Sequence, residues 1–257
     1  MTGRLESKVA FITGGNSGIG LASAKAFVAE GARVALLVRD QAKADAALAE
    51  IGAGAQAFIG DVTDLVSLRR AFDEVKKEHG HLDIVLVSAG IAPPSALQDA
   101  TPDYVDHVFD VNFKGAFFTV QYALPMLAPD ASFVLVGSCV AEMGSAGFSV
   151  YSASKAALRA LARSLTPDLH DVGARINVLS PGPVDTDVLS KAGLSDEQVD
   201  ATNDMFSRLL PAGRVGQPDE LAAAAVFLAS SESSFMRGSD LQVDGGMNQV
   251  RMPRVFS

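Results

Sequence analysis

The sequence predicts an α/β fold: a Rossmann-type, doubly wound parallel sheet of about seven strands with helices on both faces. Three observations predict it. Short apolar runs alternate with longer stretches rich in Ala, Leu, Glu and Lys along the whole 257-residue chain. Most of the runs are continuously apolar, as in strands covered on both faces, instead of alternating apolar and polar. A glycine cluster lies between the first run and the first helical stretch, where a βαβ unit makes its tightest turn.

The predicted strands are Val9–Thr13, Arg33–Val38, Ala57–Ile59, Ile84–Ser88, Phe133–Gly137, Arg175–Leu179 and Leu241–Val243. The predicted helices are Leu21–Glu30, Gln41–Ile51, Leu65–His79, Pro102–Leu127, Val150–Asp171 and Pro218–Ser230. Regular alternation implies right-handed crossovers and a doubly wound sheet. No repeat, linker or compositional break interrupts it, so residues 1–257 are read as a single domain. The segment 187–211 departs from the alternation and is read as a substrate loop or lid.

Hydrophobic residues make up 48% of the chain and charged residues 20%, enough apolar material for a buried core. With a net charge of −9 and no basic run, neither nucleic acid nor an anionic membrane is an expected partner. The charged stretch Met1–Lys8 has no apolar h-region and no apolar run is long enough to span a bilayer, so a cytoplasmic location is expected. One cysteine, Cys139, leaves no internal disulfide or cysteine-based zinc site. His79, His81, His107 and His170 have no ligand spacing between them, so no metal is expected.

The glycine cluster reads Thr13-Gly14-Gly15-Asn16-Ser17-Gly18-Ile19-Gly20. Glycines there let the backbone approach a pyrophosphate, and the following helix N-terminus offers free N–H groups and a favourable dipole to the anion. The second strand ends in Val38-Arg39-Asp40. A carboxylate at that strand end would bind the adenosine ribose hydroxyls, whereas an arginine accommodates a 2′-phosphate. Val38 supplies no carboxylate and Arg39 a planar cation, so NADP(H) is favoured, with NAD(H) as the alternative. Asp61, followed by Val62 after the third strand, is placed for the adenine edge or for capping the next helix.

Tyr151 and Lys155 stand four positions apart in a helical stretch, so phenol and ammonium share one face. A free phenol titrates near ~10. A nearby ammonium and an oxidised nicotinamide are expected to lower that value, fitting Tyr151 to exchange a proton with an alcohol or ketone oxygen. Ser138 follows a strand at its carboxyl edge and is placed to hold the same oxygen. Asn112, amid Phe109, Val111, Phe113 and Phe117, needs partners: it is either a structural amide or one bound to a backbone carbonyl or a water leading to Lys155.

On these residues the chain resembles the short-chain dehydrogenase/reductase family in its compact single-domain form. The motifs are Thr13-Gly-x3-Gly18-Ile-Gly20, Asp61-Val62, Ala89-Gly90, Asn112, Ser138, Tyr151-x3-Lys155, Pro181-Gly182-Pro183-Val184-x-Thr186 and Asp244-Gly245-Gly246. The resemblance implies a proton-relay tetrad of Asn112, Ser138, Tyr151 and Lys155, the lysine also holding the nicotinamide ribose. It implies cofactor contacts from Gly14, Asn16, Ser17, Gly18, Ile19, Gly20, Asp61, Val62, Ser88, Ala89, Gly90, Pro181, Gly182, Val184 and Thr186. It further implies a homotetramer or homodimer, and is most similar to bacterial ketone and secondary-alcohol reductases. Related enoyl reductases space tyrosine and lysine more widely, which would put the lysine at Leu158.

Three departures stand out. Val87-Ser88 replaces the usual Asn-Asn before Ala89-Gly90, so a looser loop is expected there. Ser17 stands where many NADP-preferring members carry a basic residue. Glu142 puts a carboxylate where small residues are common, facing either solvent or a polar substrate. The expected pocket wall is Cys139, Met143, Pro183, Val188 and Leu189, with Ser138 and Tyr151 at its base. The expected activity is hydride transfer between NADP(H) and a ketone or secondary alcohol. The alternatives are an NAD(H)-dependent sugar or polyol dehydrogenase, and a dinucleotide-binding regulatory or scaffold protein without turnover.

Overall fold

The structure, a computed structural model, describes residues 3–191 and 193–250, without the side chains of Val188 and Lys191. The apolar runs form β1 (Val9–Thr13), β2 (Arg33–Val38), β3 (Ala55–Ile59), β4 (Leu82–Val87), β5 (Leu127–Val136), β6 (Arg175–Pro181) and β7 (Asp240–Val243). They pair in parallel in the order β3-β2-β1-β4-β5-β6-β7, a doubly wound sheet. Successive side chains of a strand point to opposite faces, and here each face meets its own core. Phe11, Leu37 and Phe133 join the core beneath α3 (Leu65–His79), α5 (Gly115–Ala123) and α6 (Ser149–Asp168). Ile12, Leu36 and Val134 join the opposite core with α1 (Gly18–Ala29), α2 (Gln41–Ile51) and α9 (Pro218–Ala229). Both faces are therefore apolar, which is why the strands read as unbroken runs.

The chain winds from β1 out to β3 and resumes at β4 on the other side of β1. The crossovers after β1 and β4 thus leave the sheet in opposite directions and open a crevice beyond their carboxyl ends.

Two stretches differ from expectation. The helix predicted over Pro102–Leu127 is divided into α4 (Pro102–Phe109), a π-helical turn over Asp110–Lys114, and α5. At the junction Gly115 lies against Val62, whose Cβ would stand 2.8 Å from a Cβ placed on the glycine. Helical periodicity is the same on both sides of the π turn, so apolar spacing gives no sign of it. α5 stops at Ala123 in a 3-10 turn containing Pro125, which has no N–H to continue the helix, and β5 begins at Leu127. The segment 187–211 folds into α7 (Val188–Lys191) and α8 (Asp196–Leu209), the latter started by a reciprocal cap between Ser195 and Gln198. Among the described residues no helix is long and apolar enough to cross a membrane.

Candidate active site

The crevice is a cleft of about 870 Å³ running from the end of β2, past the glycine loop, to the start of α6. Its floor is built by close backbone approach. Gly14 has φ +68°, and a Cβ on it would lie 2.9 Å from the backbone of Ala89; a Cβ on Gly20 would lie 2.3 Å from the Gly14 carbonyl oxygen. Only glycine fits at either position. Gly20 is thereby assigned to packing the turn: it does not line the cleft, whereas Gly14, Asn16, Ser17, Gly18 and Ile19 do. Ser17 makes no side-chain cap bond to the first turn of α1, and Ser17, Gly18 and Ile19 line the cleft, so the positive end of the helix dipole points there.

The loop after β4 is pinned, not loosened, where Val87-Ser88 replaces the usual amides. The buried Thr13 hydroxyl accepts from the N–H groups of Ser88 and Ala89, each at 3.2 Å. Ser88, Ala89 and Gly90 all line the cleft, as do Pro181, Gly182, Val184 and Thr186 on the opposite wall. These features fit an extended dinucleotide: a glycine cradle a Cβ would fill, a helix start at the cleft and a long cleft.

At the β2 end the side chain of Arg39 is exposed, with its guanidinium 3.7 Å from the Asp61 carboxylate. Asp61 is itself engaged by the N–H and hydroxyl of Thr63, both at 2.8 Å, while α3 is capped by Asp64. Asp40 accepts from Lys43 N–H and caps α2. Arg39, Lys43, Asp61 and Val62 all line this end. Lys43 adds a second cation, which the sequence marks only as an ordinary first-turn lysine.

At the other end Ser138, Tyr151 and Lys155 meet. The Ser138 hydroxyl faces the Tyr151 phenol closely enough to affect its titration, and it accepts from Val140 N–H at 3.4 Å. Burial raises the Tyr151 phenol above its ordinary value, and the Ser138 hydroxyl opposes that shift. The lowering expected from the lysine is not found. The buried Lys155 ammonium donates to the Val136 carbonyl at 2.8 Å and sits 5.8 Å from the Tyr151 ring centroid. Burial pushes Lys155 down to about 8. A phenol held protonated beside a hydroxyl is a proton donor to an oxygen placed between them.

Asn112 lies in the π turn, behind the cleft and not in its wall, and is fully satisfied. Its Oδ1 accepts from Ile91 N–H at 2.8 Å, and its Nδ2 donates to the Ile91 carbonyl at 2.9 Å and to Ser154 Oγ at 3.0 Å. Ser154 in turn donates to the Tyr151 carbonyl at 2.7 Å. Ser154, one residue before Lys155 and completely buried, is a site residue that sequence reasoning missed. A serine between two candidate catalytic residues in a helix carries no signal beyond its small size.

Of the expected pocket wall, Pro183 and Leu189 line the cleft. Cys139 and Met143 do not. Cys139 is buried against Met247, with 3.8 Å between the sulfurs, and burial raises its thiol to about 11, far from thiolate chemistry. The side chain of Val188 lies outside the described structure. Glu142 is held by Arg159, which also pairs with Asp240 at 2.8 Å, and so faces an ion-pair network instead of a substrate. The cleft takes two unforeseen side chains, Asn203 and Phe206, from α8.

A family model described as enoyl-(acyl carrier protein) reductase matches residues 14–248. Oxidoreductase asL5 of Sarocladium schorii is 46% identical over 249 residues, covering 96% of this chain and 98% of that protein. The L-fucose dehydrogenase of Mus musculus is 36% identical over 245 residues, covering 95% and 89%. Among solved structures, a short chain dehydrogenase from Burkholderia cenocepacia in complex with NADP superposes with a TM-score of 0.87 at 35% identity, covering 95% of this chain and 99% of that one.

The depressed Lys155 value has a consequence for stability. The unfolded chain holds this proton up to the ordinary lysine value of 10.5 and the folded chain only to about 8. Wild-type stability is therefore lowered by the full cost below pH 8 and recovers as pH rises towards 10.5. Relative to wild type, Lys155→Met is expected to be most favourable at neutral pH, its advantage shrinking by about 2 kcal/mol between pH 7 and about pH 9.5. Urea unfolding of both proteins at the two pH values measures this; a difference independent of pH would show that Lys155 titrates normally.

Proposed function

The chain belongs to the short-chain dehydrogenase/reductase family, and we propose that it is an NADP(H)-dependent oxidoreductase that interconverts a ketone and a secondary alcohol, with Tyr151 transferring the proton. The observation that carries this reading is the Ser138–Tyr151 pair at the carboxyl edge of the sheet, in one cleft with the glycine cradle. A nicotinamide bound there supplies the hydride. Every other part falls to the chain. Gly14, Asn16, Ser17, Gly18 and Ile19 face the pyrophosphate, with Ser88, Ala89, Gly90, Pro181, Gly182, Val184 and Thr186 along the remaining walls. Ser138 holds the carbonyl oxygen, and Tyr151 donates its proton to that oxygen as the alkoxide develops. Burial keeps the phenol protonated at neutral pH, which favours reduction; the reverse oxidation requires phenolate and gains as pH rises. Lys155 holds the ribose, and Asn112 orders the loop and helix on either side.

A C=O reaction is favoured over a C=C one because the position of the more widely spaced lysine is Leu158, which is fully buried in the core. NADP(H) is favoured by Arg39 and Lys43 at the β2 end and by the absence of a carboxylate at Val38. The L-fucose dehydrogenase relative keeps an NAD(H)-dependent sugar dehydrogenase as the second reading. The single domain, the closing role of 187–211, a homotetramer or homodimer and a cytoplasmic location rest on the sequence pattern and the resemblance.

Two measurements test the reading. Tyr151→Phe removes the phenolic proton and is expected to lower kcat for ketone reduction by about 10²–10⁴; reduction at the wild-type rate sinks the mechanism and leaves the non-catalytic reading. For the cofactor, Arg39→Ala is expected to raise the KM for NADPH about tenfold or more while barely changing that for NADH. A wild type that uses NADH as well as NADPH refutes the phosphate role of Arg39.

A further inference from the structure

α8 turns one face to the cleft, and the two side chains it contributes, Asn203 and Phe206, stand three residues apart on that face. Other polar side chains on the half-buried flank of α8 are satisfied within the helix. Thr202 Oγ1 donates to the Gln198 carbonyl at 2.7 Å, and Ser207 Oγ donates to the Asn203 carbonyl at 2.8 Å. The carboxamide of Asn203 differs. Among the described residues it has no hydrogen-bond partner, although it is half-buried and lines the cleft together with Phe206, Leu189 and Ile91. An amide carries two donors and an acceptor, and with no partner in the chain those of Asn203 are available to a polar group entering the cleft. The polar side chains of the catalytic end, Ser138 and Tyr151, line the same cleft. Asn203 is thus a separate, open hydrogen-bonding position in the same cleft.

Resting on the carbonyl-reductase reading above, we propose that Asn203 is a specificity-determining residue that hydrogen-bonds a second oxygen of the substrate, remote from the reacting carbonyl. Phe206 packs against the carbon skeleton between the two oxygens. The substrate class is then a hydroxyketone and its diol, not a plain hydrocarbon ketone. A substrate lacking the second oxygen displaces water from the amide and offers nothing in return, so discrimination follows from one neutral hydrogen bond, about five- to tenfold.

The test uses the purified protein with NADPH and four probes: cyclohexanone and its 2-, 3- and 4-hydroxy derivatives. Wild type is expected to prefer at least one hydroxyketone to cyclohexanone by about five- to tenfold in kcat/KM, expressed mainly in KM. Asn203→Leu, or Asn203→Ala should the leucine variant not fold, is expected to bring that ratio close to one. Met205→Ala, on the exposed side of the same helix, is expected to keep it. A wild type without preference, or an Asn203 variant that retains the preference, overturns the role of Asn203 and leaves the carbonyl-reductase reading intact. Failure of wild type to reduce any of the four ketones overturns both.

Discussion

The arrangement of the site depends on one buried carboxamide. Asn112 spends every hydrogen-bonding direction it needs on two neighbours: the backbone of Ile91 in the loop after β4, and the hydroxyl of Ser154 in α6. The loop carries part of the cleft wall, and the helix carries Tyr151 and Lys155. Ser154 passes the connection on to the Tyr151 carbonyl, so loop, π turn and helix form one satisfied polar network in an apolar surrounding. Such networks are rigid when complete, because leaving any buried member unpaired costs about 1–3 kcal/mol. The π turn is what permits this. It interrupts the helix at the residue whose side chain must point at Ile91, a recurring use of such bulges at functional sites.

The second constraint is low dielectric at the chemical end. Burial moves Tyr151 and Lys155 in opposite directions, the phenol up and the ammonium down, because it disfavours the charged form of each. Burial thus holds the phenol as a proton donor, while the lysine, lowered only to about 8, still carries most of its charge near neutrality despite it. The Val136 carbonyl receives the ammonium and the Ser138 hydroxyl meets the phenol, so neither polar group is stranded. At the other end of the cleft the positive end of the α1 dipole and the exposed Arg39 face the cleft instead. One end is built to hold an anion, the other to move a proton.

Much of this was legible in the sequence. The apolar runs foretold the parallel sheet because each strand feeds two cores, and a short run apolar at every position must be covered on both faces. Gly14 was legible because its position demands both a left-handed backbone and contact with Ala89. The π turn, Ser154 and the two α8 side chains were not. Each depends on where separate elements meet in space, and local spacing is identical whether Asn203 faces a cleft or solvent. Cys139 misled for the complementary reason. Following Ser138 in sequence suggested a shared pocket, yet Cys139 begins a 3-10 turn past the end of β5, and its thiol packs against Met247.

The most direct measurement follows the label. The purified protein is incubated with cyclohexanone and NADPH carrying deuterium at both C4 positions of the dihydronicotinamide, and the alcohol is analysed by mass spectrometry. Hydride transfer to a carbonyl carbon predicts one deuterium on the carbinol carbon for each NADPH oxidised. Oxidation of NADPH without labelled alcohol, or no oxidation at all, would contradict it.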